Sequence, residues 1–387
     1  MTSYDVIVVG LGAMGSATLY QLAQRGVNVL GIDQFDPPHH QGSTHGESRV
    51  TRLAAGEGPQ YIPLVQRTHE IWRELEEKTG APLLYESGCY VISPTIASLG
   101  WREESNFAAD SARLAAQYKI PHELLDAAEV RRRHPIIGIE DGYHAYYEPS
   151  GGIVDPEQSI RVQLQLAKKF GATIQVNERV TSFKAEKAGV TVTTNQQQCQ
   201  ADKVILTTGP WIKQLLPETS HPSFGIYRQV MYWFEAEDPA QFEVSHFPML
   251  MWIGQTQTDF FAAFPTVPGN QPGIKLLTEQ FVETCDPKTV NREVSPAEIE
   301  QFADMFVSQK LRGLTKNCLR ADVCLYTMTP DTHFIIDQHP DNEQILFASA
   351  CSGHGFKHSA AIGEAIAQWA INGQSDIDLS KFSLSRF

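Results

Sequence analysis

The sequence predicts an α/β protein in which a parallel nucleotide-binding sheet is joined to a second, strand-rich α+β domain. Two observations predict it. The first is local. Tyr4-Asp5-Val6-Ile7-Val8-Val9 is a short apolar run rich in β-branched residues, as suits a strand buried on both faces, and it enters Gly10-Leu11-Gly12-Ala13-Met14-Gly15 directly. Residues 16–25 carry Leu19, Leu22 and Ala23 at helical spacing up to Gly26, and a second apolar run over 27–32 ends in Asp33. The second observation is the layout that follows. The chain does not go on to another strand–helix–strand unit but crosses into aromatic, strand-rich segments and returns to the sheet much later.

Each part of the opening has a physical task. Gly10 permits the tight turn, Gly12 lets backbone approach a pyrophosphate, and Gly15 lets the helix pack closely on the strand. The helix N-terminus offers unpaired N–H groups and a positive dipole end to phosphates. Asp33 can accept hydrogen bonds from a ribose diol. A lone G-x-G-x-x-G has little weight. Strand, glycines, helix, strand and acid in this order point to a dinucleotide, NAD or FAD.

After Asp33 the segment containing His39, His40, His45, Arg49 and Arg52 forms a basic island, which is either a solvated loop or a wall of the ligand site, where Gly42 and Gly46 would admit close backbone approach. Residues 61–78 read as a helix with Leu64, Ile71, Trp72 and Leu75 on one face. Residues 83–94 and 142–148 are strand-like, and 108–118 helical. Asp155-Pro156 opens a helix that Gly171 closes, with Asp as N-cap and Pro in the first turn. Strands are expected at 173–176, 180–185, 189–194 and 204–208, then a strand-rich stretch over 224–276 and one helix over 296–309. Further strands at 322–327, 334–337 and 345–350 lead through Ser352-Gly353-His354-Gly355-Phe356-Lys357 into an apolar helix over 359–371. Both domains are thus expected to be discontinuous, with 1–80, 150–215 and 320–387 forming the nucleotide domain and 81–149 with 216–319 the second, substrate-binding one.

Composition narrows the classes. A net charge of −14 disfavours nucleic acid and anionic membranes as partners. The hydrophobic fraction of 42% contains no apolar stretch long enough to cross a bilayer. The chain enters its first strand without a basic, apolar leader, so a cytoplasmic protein is expected. The six cysteines (Cys89, Cys199, Cys285, Cys318, Cys324, Cys351) show neither paired nor metal-type spacing, so free thiols and no metal are expected.

The layout favours a two-domain, glutathione-reductase-like Rossmann-type fold that binds FAD, and at this point the sequence resembles a known family. It is similar from end to end to the monomeric sarcosine oxidase and N-methyl-tryptophan oxidase family of FAD-dependent amine oxidases. The resemblance rests on Asp5-Val6-Ile7-Val8-Val9-Gly10, Phe35-Asp36-Pro37-Pro38-His39, His45-Gly46 with Arg49 and Arg52, and Gly56-Glu57-Gly58. It continues in Glu148-Pro149, Tyr227-Arg228-Gln229-Val230, Cys324-Leu325-Tyr326-Thr327, His333-Phe334-Ile335-Ile336-Asp337, Ser352-Gly353-His354-Gly355-Phe356-Lys357 and the ending Leu384-Ser385-Arg386-Phe387.

The resemblance implies oxidation of an N-methyl amino acid by O₂ in a monomer, with FAD attached covalently. Cys324 matches the cysteine that forms a thioether to the flavin, and Cys351 is expected to be structural. Arg52 and Lys357 match the pair that holds the substrate carboxylate, Lys275 the lysine that activates oxygen, and Tyr326 a pocket tyrosine. Arg49, with His45 nearby, is expected to contact the FAD phosphates, and Gly353, Gly355 and Lys357 to border the cofactor. Read without the resemblance, Cys324 is an ordinary buried thiol, Lys275 an exposed strand lysine and Tyr326 a core aromatic. The chain departs from its relatives at Leu53, Ala55 and Ala262, where they carry His and Tyr, and at Glu279, which stands for a His. The missing rings predict a wider pocket. The alternatives are an oxidase of primary or cyclic amino acids, an NAD-dependent dehydrogenase, and a flavin-bearing protein without activity.

Overall fold

The computed structural model describes residues 2–94, 107–187, 189–216, 222–254, 256, 259–267 and 269–387. Thr2–Val9 is the central strand of a parallel sheet. It pairs with Val29–Ile32 on one side and Gln198–Leu206 on the other. Thr173–Gln175 extends the first side, and Asn342–Ser349 the second. Ile335–His339 closes that edge antiparallel, and Val180–Glu186 with Gly189–Thr194 forms a meander on the early half of Gln198–Leu206. Val6, Ile7, Val8, Val9, Leu30 and Ile32 are all buried, so both faces of this sheet are covered. Helices Ala13–Gln24, Ile62–Thr79, Pro156–Lys169 and Ser359–Asn372 pack together in one layer. Gly363 lets the last of these cross the first closely, since a Cβ there would stand 2.4 Å from that of Ala17.

The local signals place the helix ends well. The Asp155 carboxylate accepts from the N–H of Gln158 at 2.8 Å, and Gly171 turns the chain away at φ +97. Such a cap is worth about 1 kcal/mol.

The second sheet has eight strands in the order Leu314–Met328, Gly225–Ala236, Ile274–Leu277, Phe260–Ala263, Met249–Ile253, Cys89–Pro94, Tyr143–Glu148 and Glu123–Asp126. Its pairings are antiparallel except between Met249–Ile253 and Cys89–Pro94. Both faces are apolar, and strand alternation divides them. Tyr90, Leu250, Trp252, Phe261 and Ala263 pack with Phe302 and Phe306 on the outer side, whereas Val91, Met249, Ile253, Phe260 and Ala262 join the core that continues into the helical layer. A small sheet of Arg49–Thr51, Gly152–Val154 and Leu84–Tyr85 lies between the two systems in the chain.

Several elements differ from the sequence reading. The helix expected over 296–309 is Pro296–Phe302, opened by a Ser295–Glu298 capping box, followed by a π-helical turn, Ala303–Val307, and the short Ser308–Lys310. The strand expected at 322–327 runs through all of Leu314–Met328, held by Gly225–Ala236 along its length. Residue 320, the expected domain boundary, therefore falls inside a strand of the second sheet. The helix Ala127–Arg133 escaped the sequence reading although Asp126 caps it through the N–H of Glu129. Part of the basic island is itself a strand, Arg49–Thr51, because Gly152–Val154 supplies its partner.

Candidate active site

A cavity of about 460 Å³ runs from the glycine turn after the first strand to the inner face of the second sheet. At its first end the glycines behave as chemistry requires. A Cβ on Gly10 would meet the Thr207 carbonyl at 2.7 Å, and one on Gly15 would lie 1.7 Å from the Gly10 oxygen. At Gly12 the nearest atom would be 4.0 Å away, so the backbone is open toward the cavity that Gly12 lines. Gly12 is also the N-cap of helix Ala13–Gln24, and no side chain caps the free N–H groups there. Asp33 is buried at this end. Its carboxylate accepts from the N–H of Leu11 at 2.7 Å and of Phe35 at 2.8 Å, which fixes it at the cavity wall. An open glycine, an uncapped helix N-terminus and a fixed acid fit the pyrophosphate and ribose of a dinucleotide. Gly353 (φ +76) and Gly355 border the cavity farther along, where a Cβ on Gly355 would strike the Ala350 carbonyl at 1.8 Å.

The other end is built on buried charge. Arg52 and Lys357 are almost inaccessible, and both engage Glu57, Arg52 at 3.1 Å and Lys357 at 2.8 Å. Burial works against the charge of Arg52, but Glu57 and, less strongly, Glu148 raise its pKa above the ordinary guanidinium value. The guanidinium also lies 3.4 Å from the Met251 sulfur and over the Phe107 ring. Lys357 donates a second hydrogen bond to the His354 carbonyl at 3.0 Å. Behind Arg52, the buried Glu148 accepts from the N–H groups of Leu53 and Ala54 and from the Tyr146 hydroxyl. Glu148 thus fixes the backbone that carries the arginine.

Lys275 and Cys324 lie nearby, on Ile274–Leu277 and Leu314–Met328, the two strands that flank Gly225–Ala236. The Lys275 ammonium donates to the Ser48 carbonyl at 2.6 Å and stands 4.3 Å from the Phe264 ring centre. Its pKa is far below that of a free lysine, first through burial and then through Arg49. Gly46, at φ +97, leaves room for it, since a Cβ there would lie 2.6 Å from the Met231 sulfur and 3.6 Å from the Lys275 nitrogen. Glu157 holds this turn by accepting from the N–H groups of Gly46 and Glu47. Cys324 is buried with Met231, Trp233 and Tyr326. Burial raises its pKa while Arg49 and Lys275 oppose the rise. Tyr326 lines the cavity, and burial and then Glu279 push its pKa well up. Arg49, which donates to the carbonyls of Ser43 and Ser48, is in electrostatic reach of Cys324, Lys275 and Tyr326.

The sequence-predicted residues are thus drawn together, with differences. Arg52 and Lys357 converge but are bridged by Glu57, whose role no sequence pattern states. Gly56-Glu57-Gly58 marked the segment without revealing the carboxylate's partners. Cys351 lines the cavity, whereas Cys324 lies in the packed cluster beside it. Ala262 and Glu279 face the cavity, but Leu53 and Ala55 pack in or against the core around it. Room near the sheet therefore comes from Ala262, with Met249, Met251, Ile253 and Phe260 as the apolar wall. Phe261 points to the opposite face and stacks on Trp252. The basic island is largely paired, His40 and His45 approaching Asp322 and His39 approaching Asp33.

The model of the FAD dependent oxidoreductase family matches residues 5–369. The chain is 37% identical over 388 aligned positions to monomeric sarcosine oxidase of Bacillus sp. (strain B-0618), covering 100% of this chain and 96% of that one. It is 35% identical to N-methyl-L-tryptophan oxidase of Yersinia pestis (strain Pestoides F), covering 99% of each. Among solved structures, NikD, described as an unusual amino acid oxidase essential for nikkomycin biosynthesis, superimposes with a TM-score of 0.86 at 23% identity, covering 99% of this chain and 98% of the other. Glycine oxidase from Geobacillus kaustophilus gives 0.77 at 18% identity, with 100% of each chain covered. At these identities the two structures speak for the fold alone. Among the described residues, no helix is long and apolar enough to cross a membrane.

The Glu57 bridge yields a prediction. Glu57→Gln removes the carboxylate from two buried cations, and breaking such a pairing costs about 3–5 kcal/mol. The melting temperature of the variant should fall, and a small carboxylate ligand should raise it more than it raises that of the wild type. Thermal scans with and without the ligand check both.

Proposed function

The chain belongs to the FAD dependent oxidoreductase family, and from that premise we propose that it is an oxidase of secondary amines acting on N-methyl amino acids. The overall reaction converts the N-methyl amino acid, O₂ and water into the demethylated amino acid, formaldehyde and hydrogen peroxide. The observation that carries this reading is the convergence of Arg52 and Lys357 on one carboxylate at the apolar end of a cavity that continues into the dinucleotide cradle.

FAD fits that cradle and, when bound, supplies the redox chemistry, taking two electrons from the amine's N-methyl carbon and passing them to oxygen. Gly10, Gly12, Gly15 and Asp33 would hold its dinucleotide portion, and His45, Arg49, Gly353, Gly355 and Lys357 would border it toward the reactive end. Cys324 would be the attachment point for a thioether, as the resemblance implies; burial raises its pKa, and the nearby Arg49 and Lys275 oppose that rise. Arg52 and Lys357 take the substrate carboxylate in place of Glu57, which orients the amine. Tyr326 and the apolar wall confine the rest of the substrate and exclude water from it. Lys275 provides positive charge where oxygen is reduced. The nucleotide domain, on this reading, comprises 1–80, 150–215 and the tail beyond Met328, and the enzyme acts as a monomer.

Three measurements test the reading. Acid precipitation of Cys324→Ser should release the flavin into the supernatant, and that of Cys351→Ser should leave it in the pellet.

Lys275→Met should slow reoxidation of the reduced enzyme by O₂ on the order of 10²–10³-fold. Its pKa is lowered, so the ammonium is present below the folded-state value and lost as pH rises through it. In stopped flow the oxygen step of the wild type should therefore slow with rising pH, below the ~10.4 of a free lysine. Lys275→Met should abolish that dependence.

Ala262 leaves space where a ring would stand, so kcat/KM should be higher for N-methyl-tryptophan than for sarcosine, with N-methyl-alanine between them. Ala262→Tyr should depress the largest substrate selectively. A clear preference of the wild type for sarcosine would overturn the wider pocket. Absence of peroxide with every N-methyl amino acid would overturn the function.

A further inference from the structure

His40, His45 and Asp322 bring three ligand atoms within 4.8 Å of one another at the junction of the loop after Asp33 and the strand Leu314–Met328. The function proposed above does not use His40 or Asp322. Asp322 Oδ2 stands 3.0 Å from His40 Nδ1 and 3.5 Å from His45 Nδ1. A tetrahedral zinc centre with bonds of about 2.0–2.1 Å separates its ligand atoms by about 3.3 Å, and the two observed edges bracket that value. The remaining edge can close by a small turn of the His40 side chain, which is 64% exposed.

His45 supplies the independent observation. Its side chain is fully buried, yet apart from the long 3.5 Å approach of Nδ1 to Asp322 its ring nitrogens have no hydrogen-bond partner among the described residues. A buried imidazole in that condition is costly unless a ligand completes it.

We propose that His40, His45 and Asp322 form a binding site for a divalent transition metal of the zinc class, adjoining the flavin site that His45 also borders. Two imidazoles and one carboxylate favour zinc, copper or nickel over magnesium or calcium. The solvent side of exposed His40 leaves the fourth position to water. Burial lowers the pKa of His45, against the opposing pull of Asp322. Two cations face the site. Arg292 donates to the carbonyls of His40 and Gln41, and Arg49 to those of Ser43 and Ser48. Both are engaged by backbone oxygens, but their charge weakens an incoming cation, so binding is reversible rather than structural. Asp322 lies two residues before Cys324, so a bound ion ties the loop after Asp33 to the strand that carries the proposed flavin attachment.

The test uses purified, flavin-loaded enzyme stripped with a chelator, its accessible thiols blocked with N-ethylmaleimide so that cysteine cannot take the ion. Zinc chloride is titrated against a chromophoric competitor, and bound metal is counted by mass spectrometry after gel filtration. The wild type should hold one zinc per chain, and zinc should raise its melting temperature. His40→Ala and Asp322→Asn should each weaken binding about tenfold or more while the flavin spectrum is retained. If Asp322→Asn fails to fold, His40→Ala alone decides, since its side chain is mostly in solvent. No zinc uptake by the wild type, or uptake that His40→Ala leaves unchanged, overturns the site.

Discussion

The constraint on which the site depends is the burial of positive charge. Arg52, Lys275 and Lys357 are each nearly inaccessible, and an isolated ion in such surroundings carries a penalty of several kcal/mol. The fold meets this in two ways. Arg52 and Lys357 share Glu57, so that two cations and one anion form a compact unit. Among the described residues no carboxylate forms an ion pair with Lys275; its ammonium meets the Ser48 carbonyl and hydroxyl and the ring of Phe264, and its pKa falls through burial. One arrangement keeps charge permanent, and the other leaves it responsive to pH.

Much of the surrounding architecture serves that charge. Glu148 receives the N–H groups that follow Arg52, and Glu157 those of the Gly46–Glu47 turn beneath Lys275. Both acids come from the return of the chain between the two sheets. Glu47 in turn accepts from Trp233 and Arg320 on adjacent strands of the second sheet. The carboxylates are therefore spread through the structure as supports for backbone turns, each turn carrying a side chain that the cavity needs.

What could be read from the chain alone follows from the range of the interactions. The opening strand, glycine turn, helix and Asp33 were legible because each part acts on near neighbours, and the Asp155 cap with Gly171 was legible for the same reason. Arg49–Thr51 was not legible as a strand, because its pairing depends on Gly152–Val154 about a hundred residues later. The break of the expected helix into a π-turn at Ala303–Val307 occurs where Phe302 and Phe306 both pack into the outer core, a tertiary demand that periodicity does not express. At the site, family resemblance pointed to Arg52, Lys275, Cys324, Tyr326 and Lys357. It did not reveal Glu57, whose bond to Lys357 spans 300 positions, or that Ala55 and Ala262 differ in which of them faces the cavity.

The Glu57 unit also bears on why an amino acid, rather than a simple amine, suits this cavity. A carboxylate that displaces Glu57 from Arg52 and Lys357 gives the two cations an equivalent partner, and Glu57 can turn toward His354, already 3.8 Å away. A ligand without a carboxylate has nothing to exchange, and its amine would meet two cations from which Glu57 cannot be released. On the proposed function, selection for the acid is therefore electrostatic and depends on Glu57. Selection among acids falls to the wall of Met249, Met251, Ile253, Phe260 and Ala262. Methionine is deformable enough to accommodate rings of different shape. On the proposed function, the inner face of the second sheet can thus vary the side chain it accepts without disturbing the charges proposed to hold the carboxylate, because the two tasks rest on different residues.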